Sequence, residues 1–237
     1  MLTLIIERST RHAGWSLFRD TTCLSATVTD TEPARAPAWL AELGTALDET
    51  GVSLATIDRF VVGLGPGSFS GIRAAVAALQ GMALPGGTPL LGISSAAALA
   101  FTLLTERAAS GHHTPVSVVG DARRERLWCG TYTLRHGQLR SCTVAGVRPL
   151  THDADDFQLT TVAELPNLLP PETMVVSPDW PRIGTRLATV LPAQQLQPAE
   201  RLPTAMDVGQ LYLAEPDAAR KEPAPIYLHP AVAEARA

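Results

Sequence analysis

Gly65-Pro66-Gly67-Ser68-Phe69-Ser70-Gly71-Ile72-Arg73 follows an apolar run, Phe60-Val61-Val62-Gly63-Leu64, and leads into an Ala-rich segment, Ala74 to Leu84. The run reads as a buried strand and the segment as a helix, so the stretch between them is a sharp strand-to-helix turn. Pro66 fixes its own φ, while Gly65 and Gly67 can take φ values closed to other residues. Ser70 is the expected N-cap of the helix. Between Ile72 and Leu84 only Arg73 and Gln80 are polar. A helix apolar nearly all round is covered on more than one face. Gly71, Ala74, Ala75 and Ala78 form a small-residue stripe, and Ile72, Val76, Leu79 and Ala83 a bulkier one. A central core helix and a subunit interface both fit that pattern.

Outward from the turn, Leu2 to Glu7, Ala13 to Arg19 and Thr22 to Val28 read as three strands, with Asp20-Thr21 as a hairpin turn. Pro37 to Thr50 has helical spacing, with Leu40, Leu43 and Leu47 on one face and Trp39 beside them, partly exposed. Pro89 to Ile93 is a strand, and Ser94 or Ser95 caps a helix to about Ala109. This βββαβαβα order implies an α/β layer fold with a mixed sheet. Beyond Gly111-His112-His113-Thr114-Pro115, strands are expected at Val116 to Gly120, Leu127 to Leu134 and Leu139 to Val147. Met174 to Val176 reads as a strand, and Arg182 to Leu191 and Thr204 to Leu213 as helices. The Pro/Ala-rich tail from Glu215 is expected to end in mobile residues.

With 237 residues and 46% hydrophobic content, the chain can bury a sizeable core. A formal charge of −4 gives no global pull on nucleic acid, although a local basic patch is compatible with it. Cys23, Cys129 and Cys142 lack CxxC spacing and suit a reducing, cytoplasmic setting. No apolar run is long enough to suggest a membrane span.

The turn is not a dinucleotide fingerprint, because its third glycine is one residue late and no acid ends the strand at Ile93. No Gly-Lys-Ser/Thr follows, so it is not a P-loop. Free N–H groups at the helix start make Gly65, Gly67 and Ser68 a candidate anion loop. Ser68 and Ser70 lack nucleophile-elbow spacing, since Phe69 holds the central position. His12, His112, His113, His136, His152 and His229 show no metal-ligand spacing and read as solvated loop residues. No catalytic residue and no metal ligand is assigned. Asp121-Ala122-Arg123-Arg124-Glu125-Arg126 ends a strand; an anion-binding role and a charged edge that discourages strand pairing are both open.

These stretches resemble the TsaB family, also called YeaZ. The resemblance rests on Gly65 to Arg73, Gln80-Gly81-Met82-Ala83-Leu84, Gly92-Ile93-Ser94, Asp121-Ala122-Arg123-Arg124 and Pro225-Ile226-Tyr227-Leu228, in family order across nearly the whole chain. It implies an actin-like (Hsp70-ATPase-like) two-lobed α/β fold with a reduced second lobe. Residues 1–110 would form the first lobe, with about 204–237 packing back on it, and 111–203 the second. It further implies a non-catalytic subunit that pairs with TsaD, which transfers a threonylcarbamoyl group to adenosine in tRNA, with TsaE joining the complex. tRNA would be met only indirectly, and the chain alone would form a homodimer. The partner contacts would be Trp39, Leu43, Ile72, Ala75, Val76 and Leu79, on first-lobe helices. No resident cofactor is implied, with ATP or ADP at a partner interface left open. The alternatives are a stand-alone homodimeric nucleotide-binding protein and a metallopeptidase-like enzyme. Four departures mark a diverged member. Glu7-Arg8 stands where the family has Asp-Thr, and Glu125-Arg126 where it tends to have Gly-Glu. His229 replaces an Arg, and a His is missing within Pro33 to Ala38.

Overall fold

The computed structural model describes residues 1–30 and 38–228. Pro37, the Pro33 to Ala36 stretch and His229 lie outside them, and for Ala38 only the backbone is described.

Two sheets carry the fold. Strands β1 (Leu2–Glu7), β2 (His12–Arg19), β3 (Thr22–Asp30), β4 (Arg59–Gly63) and β5 (Leu90–Ile93) form the first, in the order β3-β2-β1-β4-β5. β1 to β3 are antiparallel, whereas β4 and β5 run parallel to β1. The second sheet is ordered β12-β11-β6-β7-β8-β9, with β10 on β7. Its strands are β6 (Val116–Asp121), β7 (Leu127–Arg135), β8 (Gln138–Thr143), β9 (Gly146–Pro149), β10 (Gln158–Thr160), β11 (Met174–Ser177) and β12 (Leu196–Glu200). The single strand expected over Leu139 to Val147 is thus two, folded at a turn where Gly146 takes a φ of +139°. β10 and β12 escaped the sequence reading because they are short and β12 contains Pro198.

Helices α1 (Ala38–Glu49) and α2 (Phe69–Ala83) pack on the first sheet, and α5 (Ala205–Ala214) packs across β1, β2 and β4. The alternation of β1 separates two faces. Ile5 meets α5, where a Cβ on Gly209 would collide with Phe18 and approach Ile5. Leu4 and Ile6 face the opposite way, toward α1 and α2. α3 (Ser95–Ala109) lies against α5 and against β6 and β7, so it fills the space between the sheets. α4 (Trp180–Leu187) packs on β6, β11 and β12 and closes a smaller core of Val119, Leu127, Val175, Ile183 and Leu187. The mixed α/β class expected from the sequence is the one observed, built on two sheets.

Polar contacts hold these layers in register. A capping box closes the start of α5 between Thr204 and Asp207, and Thr102 on α3 donates to the same Asp207 carboxylate at 2.6 Å. His152 is fully buried, a correction to its reading as a solvated loop residue. Its Nδ1 accepts from the backbone N–H of Ser94 at 3.1 Å, which places the ring proton on Nε2. Asp156 accepts from the N–H groups of Thr151 and His152 and so fixes this loop.

Burial first, and the nearby Arg220 second, push His152 down to about 4. Above pH 6.5 the ring is neutral folded or unfolded and gives no pH dependence. As pH falls from 6.5 toward 4, the unfolded chain takes up a proton that the fold refuses. Wild type should therefore lose on the order of 3 kcal/mol relative to His152→Asn over that window. Urea midpoints of both proteins between pH 7 and 4 check this; parallel profiles would contradict it.

Candidate functional site

The site is built where β1 ends against the glycine turn. Glu7 is buried on the side facing α3. Its Oε1 accepts from Ser9 N at 2.5 Å, and its Oε2 from the Ser95 hydroxyl at 2.6 Å. Ser95 Oγ in turn accepts from Gly65 N at 2.9 Å. The Gly65 carbonyl accepts from Ser95 N at 2.9 Å and from Ser94 Oγ at 3.3 Å. One carboxylate thus joins the end of β1, the glycine turn and the start of α3. It lies directly over β4, where a Cβ on Gly63 would fall on Glu7 Oε2. Burial raises the Glu7 pKa, and the Ser9 and Ser95 hydrogen bonds only partly offset it.

The turn itself wraps the β1 end. Gly65 takes a φ of +87° before a cis Gly65–Pro66 bond. A Cβ on Gly67 would strike the Ser9 carbonyl, and one on Gly71 the Arg8 carbonyl. Close approach, rather than backbone freedom, therefore fixes these two positions. Ser68, not Ser70, caps α2: its hydroxyl accepts from Gly71 N at 3.2 Å, and the helix starts at Phe69. Ser68 N donates to Ser9 O at 2.6 Å. Of the candidate anion loop, the N–H groups of Gly65 and Ser68 are therefore already engaged within the chain. The cradle is filled by Arg8 and Ser9. Among the described residues, no three His, Cys, Asp or Glu side chains converge as a metal site requires. No described helix is long and apolar enough to cross a membrane.

Arg8 turns toward α1. Its guanidinium stacks 4.9 Å over the Trp39 ring, and burial lowers its pKa. Trp39 is therefore buried at 9% exposure rather than partly exposed, and Leu40, expected inside, is 42% exposed.

The six residues expected to meet a partner all face inward. Trp39, Leu43, Ile72, Ala75, Val76 and Leu79 lie in the chain's own core, because the bulkier stripe of α2 seals the first sheet. The exposed side of α2 is a different set from the small stripe, whose Ala75 is fully buried: Ser70, Arg73, Ala74, Ala77, Gln80 and Gly81 are exposed, with Leu84 82% exposed at the end. Beside it, the rings of Phe69 and Tyr227 stand 5.4 Å apart, and Arg73 stacks 4.9 Å over Phe69. Ile226 N donates to Leu64 O at 3.0 Å, which seats the Pro225 to Leu228 stretch at the mouth of the glycine turn. Two stretches far apart in sequence thus share one face.

Asp121 to Arg126 belongs to the second sheet. Asp121 N donates to the Asp179 carboxylate at 2.9 Å. Arg123, Arg124 and Glu125 have φ of +64°, +50° and +62°. Three consecutive left-handed residues without a glycine cost about 1 kcal/mol or more each. The Gly that the family tends to carry at position 125 suits this backbone, and Glu125 does not.

Comparison with known proteins follows the same outline. Residues 39–152 match the family model described as TsaD: tRNA N6-adenosine threonylcarbamoyltransferase. The "tRNA threonylcarbamoyladenosine biosynthesis protein TsaB" of Bacillus subtilis (strain 168) is 26% identical over 141 residues, 59% of this chain. That match spans 58% of the relative's length. YeaZ from Pseudomonas aeruginosa superimposes with a TM-score of 0.71 at 23% identity, over 95% of this chain and 100% of that one. A structure titled as an uncharacterized protein with similarity to peptidase YEAZ from the same organism gives 0.74 at 23% identity, over 96% and 99%. The structures share the fold from end to end, and the sequence relative carries the same family name. The chain is thus similar to TsaB in sequence over 59% of its length and to YeaZ in fold over nearly all of it.

Proposed function

We propose that this chain is the non-catalytic partner subunit of a tRNA threonylcarbamoyladenosine machinery, acting in the cytoplasm. It pairs with a TsaD-type protein, and a TsaE-type protein joins through the complex. The observation that carries this reading is the exposed small-residue face of α2, flanked by Phe69, Tyr227 and Leu84. Small side chains let a partner helix approach closely, and the aromatic pair beside them supplies apolar area to bury. In the absence of the partner the same face serves an isologous homodimer. The filled glycine turn supports the same reading over a stand-alone nucleotide-binding protein, because Ser9 and Ser95 occupy N–H groups a phosphate would need. The subunit itself needs no cofactor on this reading, and ATP or ADP would enter only at the partner interface.

Co-expression with the TsaD of the same organism, followed by light scattering, tests this. Wild type should elute as a heterodimer. Ala74→Glu or Ala77→Glu, on the exposed face, should weaken it by about tenfold or more, since a charge is then buried against the partner. Unchanged assembly of both variants would contradict the interface. Ala75→Glu is no test, because Ala75 is fully buried and its substitution would disrupt the core.

Glu7 distinguishes a structural carboxylate from one kept for metal chemistry. Its raised pKa means that the fold disfavours the ionised form, so its cost is absent below the unfolded value and grows as pH rises through the folded one. Glu7→Gln can keep both hydrogen bonds and should be as stable as wild type or more so at pH 7. Glu7→Ala leaves Ser9 N without its acceptor and should lose about 1–3 kcal/mol. Denaturation midpoints with and without Mg²⁺ check both. Magnesium stabilisation that Glu7→Gln abolishes would contradict the structural role.

A further inference from the structure

Five arginines gather around the end of β6 in a chain whose formal charge is −4. Two of them hold the turn in place: Arg126 donates to the Leu159 carbonyl and Arg186 to the Glu125 carbonyl. Three present their charge outward. Arg123 and Arg182 both sit beside the same oxygen of Asp121, at 3.8 and 3.6 Å, with their side chains 71% and 54% exposed. Those distances are too long for tight pairs, and exposed pairs of this kind hold their cations weakly. Arg124, between them in sequence, is exposed and has no partner among the described residues.

The backbone adds an independent observation. Residues 123–125 are left-handed in succession, yet the chain places Arg, Arg and Glu there. Elsewhere positive φ falls on glycine, as at Gly51, Gly87, Gly111 and Gly137, or on single residues, Asp20, His136, His152 and Glu172; three in succession occur at this turn. Strain that persists where glycine would relieve it marks side chains retained for what they contact. Of the three, Arg123 and Arg124 carry guanidinium groups exposed to solvent, and Glu125 is exposed beside them.

We propose that Arg123, Arg124 and Arg182 form a contact for the phosphate backbone of an RNA. Guanidinium groups standing side by side match successive phosphates, each of which accepts two N–H bonds. The contacts proposed are guanidinium to phosphate, so they position a strand without reading its sequence. RNA as the occupant rests on the function proposed above, in which the complex acts on tRNA. The contact adds a direct role for this subunit to the indirect one expected from the family resemblance.

The test is a titration of the complex between this chain and its TsaD with a tRNA transcript at several salt concentrations. The Arg123→Glu/Arg124→Glu double variant should weaken binding about tenfold or more and lower the slope of log K against log salt by about 2. Arg135→Glu, an equal change per site at the other end of β7, should leave both within about twofold. Equal behaviour of the double variant and Arg135→Glu would overturn the proposal. Loss of assembly with TsaD in the double variant alone would also overturn it, by assigning the patch to an acidic protein surface. If wild type does not assemble with TsaD, the function proposed above fails, and the same titration of the chain by itself decides the patch. Glu125→Gly should raise the urea midpoint without changing tRNA affinity, since Glu125 supplies strain and no contact. A lowered midpoint would remove the argument from strain.

Discussion

The Glu7 carboxylate is the constraint on which the first half of the molecule depends. It gathers Ser9 N and the Ser95 hydroxyl, and through Ser95 it holds Gly65 N. Three elements from separate parts of the chain are thereby fixed within one hydrogen-bonded group. A buried acid needs such partners, because unpaired it costs several kcal/mol. Once they are in place, the turn from Gly65 to Gly71 must fold over Arg8 and Ser9, and α2 must start at Phe69. The exposed face of α2 and the Phe69–Tyr227 pair follow from that start.

The same arrangement bears on what the glycine turn can hold. A strand end, a glycine turn and a helix N-terminus are the parts from which a phosphate site is made. Here the chain's own backbone and serines use those donors. The small-residue face of α2 lies on the first sheet's helical layer, and the arginine turn lies on the second sheet. One offers apolar, close-approach packing and the other offers charge, so they suit different kinds of partner.

Much of this was legible in the sequence. The first eight elements appear in the expected order, because alternation, caps and turn residues are local signals. The Asp20 hairpin turn and the Ser94 cap are examples. What was misread depended on neighbours distant in sequence. Ser68 and Ser70 are equally good caps by type, and the contact of Ser68 N with Ser9 O selects the earlier start. The bulkier stripe of α2 lies on the sheet as a unit, but the small one does not hold together: Ala75 is buried beside it, and Ala77 and Gly81 join Ala74 outside, since size alone does not fix the helix rotation. Leu40 and Trp39 exchanged places because Arg8 stacks on the indole. His152 gave no signal at all: its acceptor role is toward a backbone N–H 58 residues away.

The most direct measurement is hydrogen–deuterium exchange of this chain alone, with the TsaD of the same organism, and with ATP and Mg²⁺. The account predicts slower exchange over 69–84 and 225–228 when TsaD is added, and no change over 63–68 and 94–97 with nucleotide. Protection of 63–68 and 94–97 by nucleotide, with none over 69–84 from TsaD, would contradict it.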